Sequence, residues 1–161
     1  MDKITPTLWF DGNAEEAAEF YTSLFPNSRV GKVERAASDT PSGPEGMVIT
    51  VAFTLDGREY VGLNGGPDFK FTEAVSLSID CADQAEVDHY WAKLVEGGGE
   101  YSVCGWLKDR FGLSWQVIPR ALPELLASPD RAAAKRVMEA MLQMTKLDVA
   151  ELERAAQPTA A

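Results

Sequence analysis

Gln116 stands out among the residues of this chain that could do chemistry, because of its company. In the stretch GWLKDRFGLSWQVIP, residues 105–119, the alternation of a strand puts Ser114, Gln116 and Ile118 on one face and Leu113, Trp115 and Val117 on the other. An amide set among side chains this large and apolar points toward a cavity. Glu59, shortly before Asn64, is a carboxylate that would serve as a general base if it faced inward and is a solvated edge residue if it does not. The single histidine, His89, lies in the middle of a helical pattern and reads as a surface or half-buried residue. Cys81 falls at a strand end and Cys104 in a loop, a pair that forms neither a disulfide framework nor a metal-ligand cluster. They read as idle thiols, with a redox pair as the alternative. The glycines of GGPDFKFT, residues 65–72, lead into no GKS or GKT ending and no helix, so this is not a phosphate-binding loop.

The elements that must position these residues follow from pattern and punctuation. Residues 4–10 form a first strand closed by Asp11-Gly12, and Asn13 is a natural N-cap for a helix over 14–25. Strands over 28–35 and 47–55 flank a Pro- and Gly-rich loop, 38–46, and the Asp56-Gly57 turn returns the chain through a strand over 58–64. A fifth strand, 74–80, precedes a helix capped by Asp83 with Glu86 completing a capping box, and Gly97-Gly98-Gly99 ends that helix near 96. A short strand near 100–103 leads into the hairpin of 106–118, whose turn Gly112 supplies with a positive φ. Beyond Pro119 come a helical turn at 122–126, a helix over 131–146 carrying Val137, Met141, Leu142 and Met144, and a last helix that Asp148 caps. The Met-containing helix is a sheet cover or a dimer contact.

Composition bounds the answer. The chain has 161 residues and is 45% hydrophobic, enough for one domain or two small modules sharing a core. A net charge of −10 argues against nucleic acid as a partner. No apolar run of about 18 residues is present, so no membrane span is expected. The start, MDKITPTLWF, lacks a basic region followed by an apolar one, and a cytoplasmic protein is expected.

The order strand, helix, three strands occurs twice. Leu8-Trp9-Phe10-Asp11 answers Leu77-Ser78-Ile79-Asp80, and within the helices Glu16 answers Glu86, Phe20-Tyr21 answers Tyr90-Trp91 and Leu24 answers Leu94. Repeats this long indicate duplicated βαβββ modules, here 1–66 and 67–120, with 121–161 as a C-terminal helical extension. The fold class is α+β.

Three stretches in order, ITPTLWFDGNAEEAAEFYTSLFP, LNGGPDFKFTEAVSLSIDC and CGWLKDRFGLSWQVIP, closely resemble the PhnB-like proteins. These belong to the vicinal oxygen chelate superfamily, with glyoxalase I, bleomycin-resistance proteins and extradiol dioxygenases, and members often carry the name 3-demethylubiquinone-9 3-methyltransferase. The resemblance runs over roughly residues 3–155 and implies paired βαβββ modules in a cupped mixed sheet, and a homodimer. It also implies where the superfamily's metal ligands would fall: near Pro6 and Ser76 on the first strands, at Gln116 on the last strand, and within 61–64, which offers Asn64. Proline has no ligand side chain, and serine and glutamine are poor partners for Zn²⁺ or Fe²⁺. No metal and no cofactor is therefore expected, and neither glycine run matches an S-adenosylmethionine turn. What remains is a cleft lined by Trp9, Asn64, Ser76, Trp106 and Gln116, suited to a small, partly aromatic ligand. Trp9 and Trp106 would stack on it, and Asn64, Ser76 and Gln116 would orient it. The tryptophans read alternatively as plain core. The expected function is metal-free small-molecule binding; the alternative is a lyase, isomerase or group transferase on a quinone-like substrate, with Glu59 as its candidate catalytic residue.

Overall fold

In the computed structural model, which describes residues 3–159, the chain forms two compact units, one ending at Phe71 and the other beginning at Thr72. The first contains β1 (Thr7–Phe10), α1 (Ala14–Leu24), β2 (Arg29–Arg35), β3 (Val48–Leu55) and β4 (Arg58–Asn64). Its four-stranded sheet has the order β1-β4-β3-β2, with β1 parallel to β4 and the other pairs antiparallel. The second unit repeats the scheme with β5 (Ser76–Cys81), α2 (Gln84–Leu94), β6 (Glu100–Tyr101), β7 (Trp106–Lys108) and β8 (Ser114–Pro119), in the order β5-β8-β7-β6. It then adds α3 (Ala121–Leu126), α4 (Arg131–Met141) and α5 (Val149–Ala156). The fold is α+β, with two mixed sheets of matching strand order. Among the described residues no helix is long and apolar enough to cross a membrane.

Each sheet buries one face under its own helix. In the first unit Tyr21 of α1 meets Phe53, which stacks on Tyr60 with ring centroids 5.5 Å apart. Gly62 lets α1 come close: a Cβ there would lie 3.1 Å from the Ala14 methyl. In the second unit Trp91 of α2 stacks on Tyr101 at 4.7 Å, and the register carries that face through Leu107 and Trp115 to Leu77.

The ends of the elements show where tertiary contacts override local preference. The first strand starts at Thr7, three residues later than its pattern suggests: Ile4 is exposed, and Pro6 can only accept, which it does from Val61 N–H at 3.0 Å. Asp83 caps α2 through Glu86 N–H at 3.0 Å, but the Glu86 carboxylate reaches back to Ala82 N–H at 2.7 Å, one residue before the usual capping-box donor. The helix expected to run to residue 146 ends at Met141. The Met144 and Thr145 carbonyls leave the helical path to accept N–H groups of Cys104 and Gly105, both at 2.9 Å. The exposed Leu142 belongs to that departing turn, not to a buried stripe. Leu122, Val137, Leu147 and Leu152 form the core that joins α3, α4 and α5.

Candidate functional site

The residues singled out from the sequence fall into two groups. In the second unit the register brings three of them side by side. Ser76 lies on β5, Gln116 on β8 and Trp106 on β7, with Trp106 and Gln116 direct cross-strand partners. The Gln116 amide donates to the Ser76 hydroxyl at 2.9 Å. Leu107 and Trp115 face α2, so strand alternation turns Trp106, Lys108, Ser114, Gln116 and Ser76 to the opposite face.

A cleft of about 360 Å³ opens there, lined by Trp106, Lys108, Ser114, Glu73 and the turn residues Ser102, Val103 and Cys104. Lys108 forms an ion pair with Glu73 at its edge. Its ammonium donates to the Glu73 carboxylate and holds that carboxyl below the usual range, and the same contact raises the Lys108 pKa. Ser114 is wholly buried, and its hydroxyl has no hydrogen-bond partner among the described residues. Buried polar groups almost always find a partner; this hydroxyl lies just behind the cleft wall, where a small shift of its neighbours would open it to a bound group. The sequence places Ser114 on the right face but gives no sign that it is unpartnered.

In the first unit the named residues are committed to their own surroundings. The Trp9 indole N–H donates to the Gly66 carbonyl at 2.9 Å, and its ring meets Phe69 edge-on at 4.9 Å. A Cβ at Gly65 would fall 2.2 Å from that indole, so the glycine run of this loop serves the packing of Trp9. Asn64, buried on the α1 face, accepts the Ala14 N–H at 2.9 Å and donates to the Val48 carbonyl at 3.0 Å. It caps α1 from across the sheet, while Asn13, the expected cap, makes no capping bond with its side chain. Both polar ends of Asn64 are thus used inside the fold and not in orienting a ligand. Glu59 is half-buried and pairs in register with Thr54. His89 is exposed on α2 and packs edge-on against Tyr90.

The positions where a chelate would sit do not fit a divalent ion. Ser76 and Gln116 hold each other, Pro6 has no donor side chain, and Asn64 caps a helix. Among the described residues no three of His, Cys, Asp and Glu gather as a metal site. The glycine runs do not fit a nucleotide-like methyl donor either. Gly65 lies against Trp9, and a Cβ on Gly99 would meet the Lys108 carbonyl at 2.5 Å, so both runs are filled by the chain itself. Cys81 is wholly buried, which pushes its thiol up to about 12 and leaves it unreactive.

Fold and cleft together describe a two-unit βαβββ protein with a small cleft, walled in part by Trp106, in its second unit. The sequence profile of the 3-demethylubiquinone-9 3-methyltransferases matches residues 2–118, and the chain belongs to that family. Among solved structures, the PhnB protein of Bacillus cereus, which bears the same methyltransferase name, is 37% identical with a TM-score of 0.65, over 73% of this chain and 99% of that one. Protein PA1353 of Pseudomonas aeruginosa shares the fold at 21% identity and a TM-score of 0.55, over 74% of this chain and 98% of its own. No curated protein matches. The profile ends at 118, so α3, α4 and α5, which the sequence resemblance takes in, lie outside it.

Proposed function

We propose that this protein binds a small, quinol-like aromatic ring in the cleft of its second unit, as a member of the vicinal oxygen chelate superfamily that works without a metal. The buried, unpartnered hydroxyl of Ser114 just behind that cleft wall carries the reading. Trp106 offers an indole face for stacking. Ser114 and Lys108 supply hydrogen bonds to ring oxygens, and the Ser76–Gln116 pair fixes the polar strip beside them. A volume of about 360 Å³ lies at the low end for ligand sites and takes one substituted ring, so any isoprenoid tail must leave the cleft.

The test is isothermal titration with dimethoxy-methylhydroquinone, the tail-less reduced ubiquinone ring, under argon so that no quinone forms to alkylate thiols. Binding is expected at one site per chain. Trp106→Ala and Ser114→Ala should each weaken it about tenfold, the loss of one stacking or hydrogen-bonding partner. No heat with the wild type, or unchanged affinity in both variants, would overturn the assignment. Native mass spectrometry of the same samples reads any co-purified ring and the subunit number.

The family name favours a second reading, a group-transfer enzyme acting on a quinone-like substrate held by the first unit and not in the cleft above. Glu59 is its candidate base. Turnover by Glu59→Gln equal to wild type would remove that role.

A further inference from the structure

The wall of the cleft is tied to a part of the chain that the family profile does not include. Ser102, Val103 and Cys104 line one side of the cleft, in the turn between β6 and β7. This turn has little support from its own sheet: β6 is two residues long and Tyr101 and Val103 are exposed. Ser102 N–H to the Trp106 carbonyl and Trp106 N–H to the Val103 carbonyl close the turn without fixing how it leans. Cys104 and Gly105 both adopt positive φ, 57° and 82°, a conformation a cysteine takes only when its surroundings impose it.

The imposing contacts come from the segment between α4 and α5. Cys104 N–H donates to the Met144 carbonyl and Gly105 N–H to the Thr145 carbonyl. A Cβ on Gly105 would lie 3.0 Å from Leu147 Cδ1, so glycine lets this segment seat directly on the turn. Leu147 itself is fully buried in the core of the three C-terminal helices. The far side of the segment is held by α2. The Gln84 amide donates to the Leu147 carbonyl at 3.1 Å and accepts from Val149 N–H at 2.8 Å, and Lys146 pairs with Asp88 at 2.8 Å. Yet the Bacillus cereus structure is covered to 99% by 73% of this chain. The helices are an addition to the shared domain, and they reach the site.

We infer that the C-terminal helices act as a clasp: residues 144–149 hold the 102–105 wall in place and so set which ring the cleft accepts. Leu147 and Gln84 are positioning residues, acting on the ligand only through that wall. Whether the ligand is a quinol-like ring rests on the function proposed above, whereas the ordering of the wall does not.

The experiment uses the full chain with Leu147→Ala and Gln84→Ala, and Asn64→Ala as a control that loosens the other unit. Hydrogen exchange of peptides covering 102–107 and iodoacetamide alkylation of Cys104 report the wall directly. Cys81 is the buried internal reference, and titration with dimethoxy-methylhydroquinone reports the ligand. Both clasp variants should raise exchange and alkylation about fivefold or more and weaken the quinol by a similar factor, while Asn64→Ala leaves all three unchanged. An unchanged wall in both variants overturns the clasp, as does a loosened wall with unaltered quinol affinity. A loosened wall in a protein whose wild type takes no quinol keeps the clasp's hold on the wall and removes the ligand reading.

Discussion

At the scale of single residues, the hairpin that carries the cleft depends on Asp109. This carboxylate is 3% exposed, yet it faces three donors: Phe111 N–H at 2.9 Å, Leu113 N–H at 3.1 Å and the Trp115 indole N–H at 2.9 Å. It closes the turn, and it fixes the tryptophan that packs beneath the cleft strands. Asp109→Ala leaves these donors buried and unsatisfied and should cost about 3 kcal/mol of stability, read by urea denaturation. Asp109→Asn tests the cause. If the amide oxygen keeps the turn bonds, its NH₂ meets the Trp115 N–H donor to donor, so most of the loss should remain. Stability of Asp109→Asn equal to wild type would show that the indole contact contributes nothing. The sequence marks Gly112 as the turn residue, and its φ of 88° fits that role. The part played by Asp109 is hidden because its indole partner sits beyond the turn on the return strand.

At the scale of elements, Asn64 does for α1 what a local cap ordinarily does, from a strand 50 residues away in sequence. Asn64→Ala should destabilise the first unit by about 2 kcal/mol through the freed Ala14 N–H and Val48 carbonyl. Exchange should rise first in the opening turn of α1; an unaltered opening turn would mean that the cap is dispensable. Long-range bonds of this kind also explain what the sequence hides. The β3–β4 hairpin is legible to the residue at its second strand, because Asp56-Gly57 and period-two alternation are local signals. Helices α2 and α5 are legible at their starts, where Asp83 and Asp148 cap them. The end of α4 is not, because carbonyls recruited by Cys104 and Gly105 decide it. The cleft divides the same way. Trp106, Ser76 and Gln116 follow from strand pairing and come together, but of the three only Trp106 lines the cleft, while Trp9 and Asn64 look equally suited as residue types and are occupied by their own loop and helix.

At the scale of the whole molecule, two electrostatic effects oppose each other. The chain carries a net charge of −10 at pH 7, and self-repulsion of that kind weakens a compact state. Against it stand ion pairs such as Lys93–Glu96, Arg120–Asp80 and Lys146–Asp88, all with side chains well exposed to solvent. Exposed pairs contribute about 0–1 kcal/mol each, and salt weakens them. Several are also local, between neighbours on one helix or across one strand pair, so they survive in part at moderate ionic strength. The repulsion is summed over the surface at distances beyond the screening length of about 10 Å at 0.1 M salt, where added ions act most strongly. Repulsion should therefore win: raising sodium chloride from about 10 to 150 mM should raise the melting temperature by a few degrees, with most of the gain at the low end. A melting temperature that falls with salt would mean that the surface pairs outweigh the net charge. In that case Lys146→Met should lose more stability at low salt than at high, since Lys146 anchors the C-terminal segment to α2.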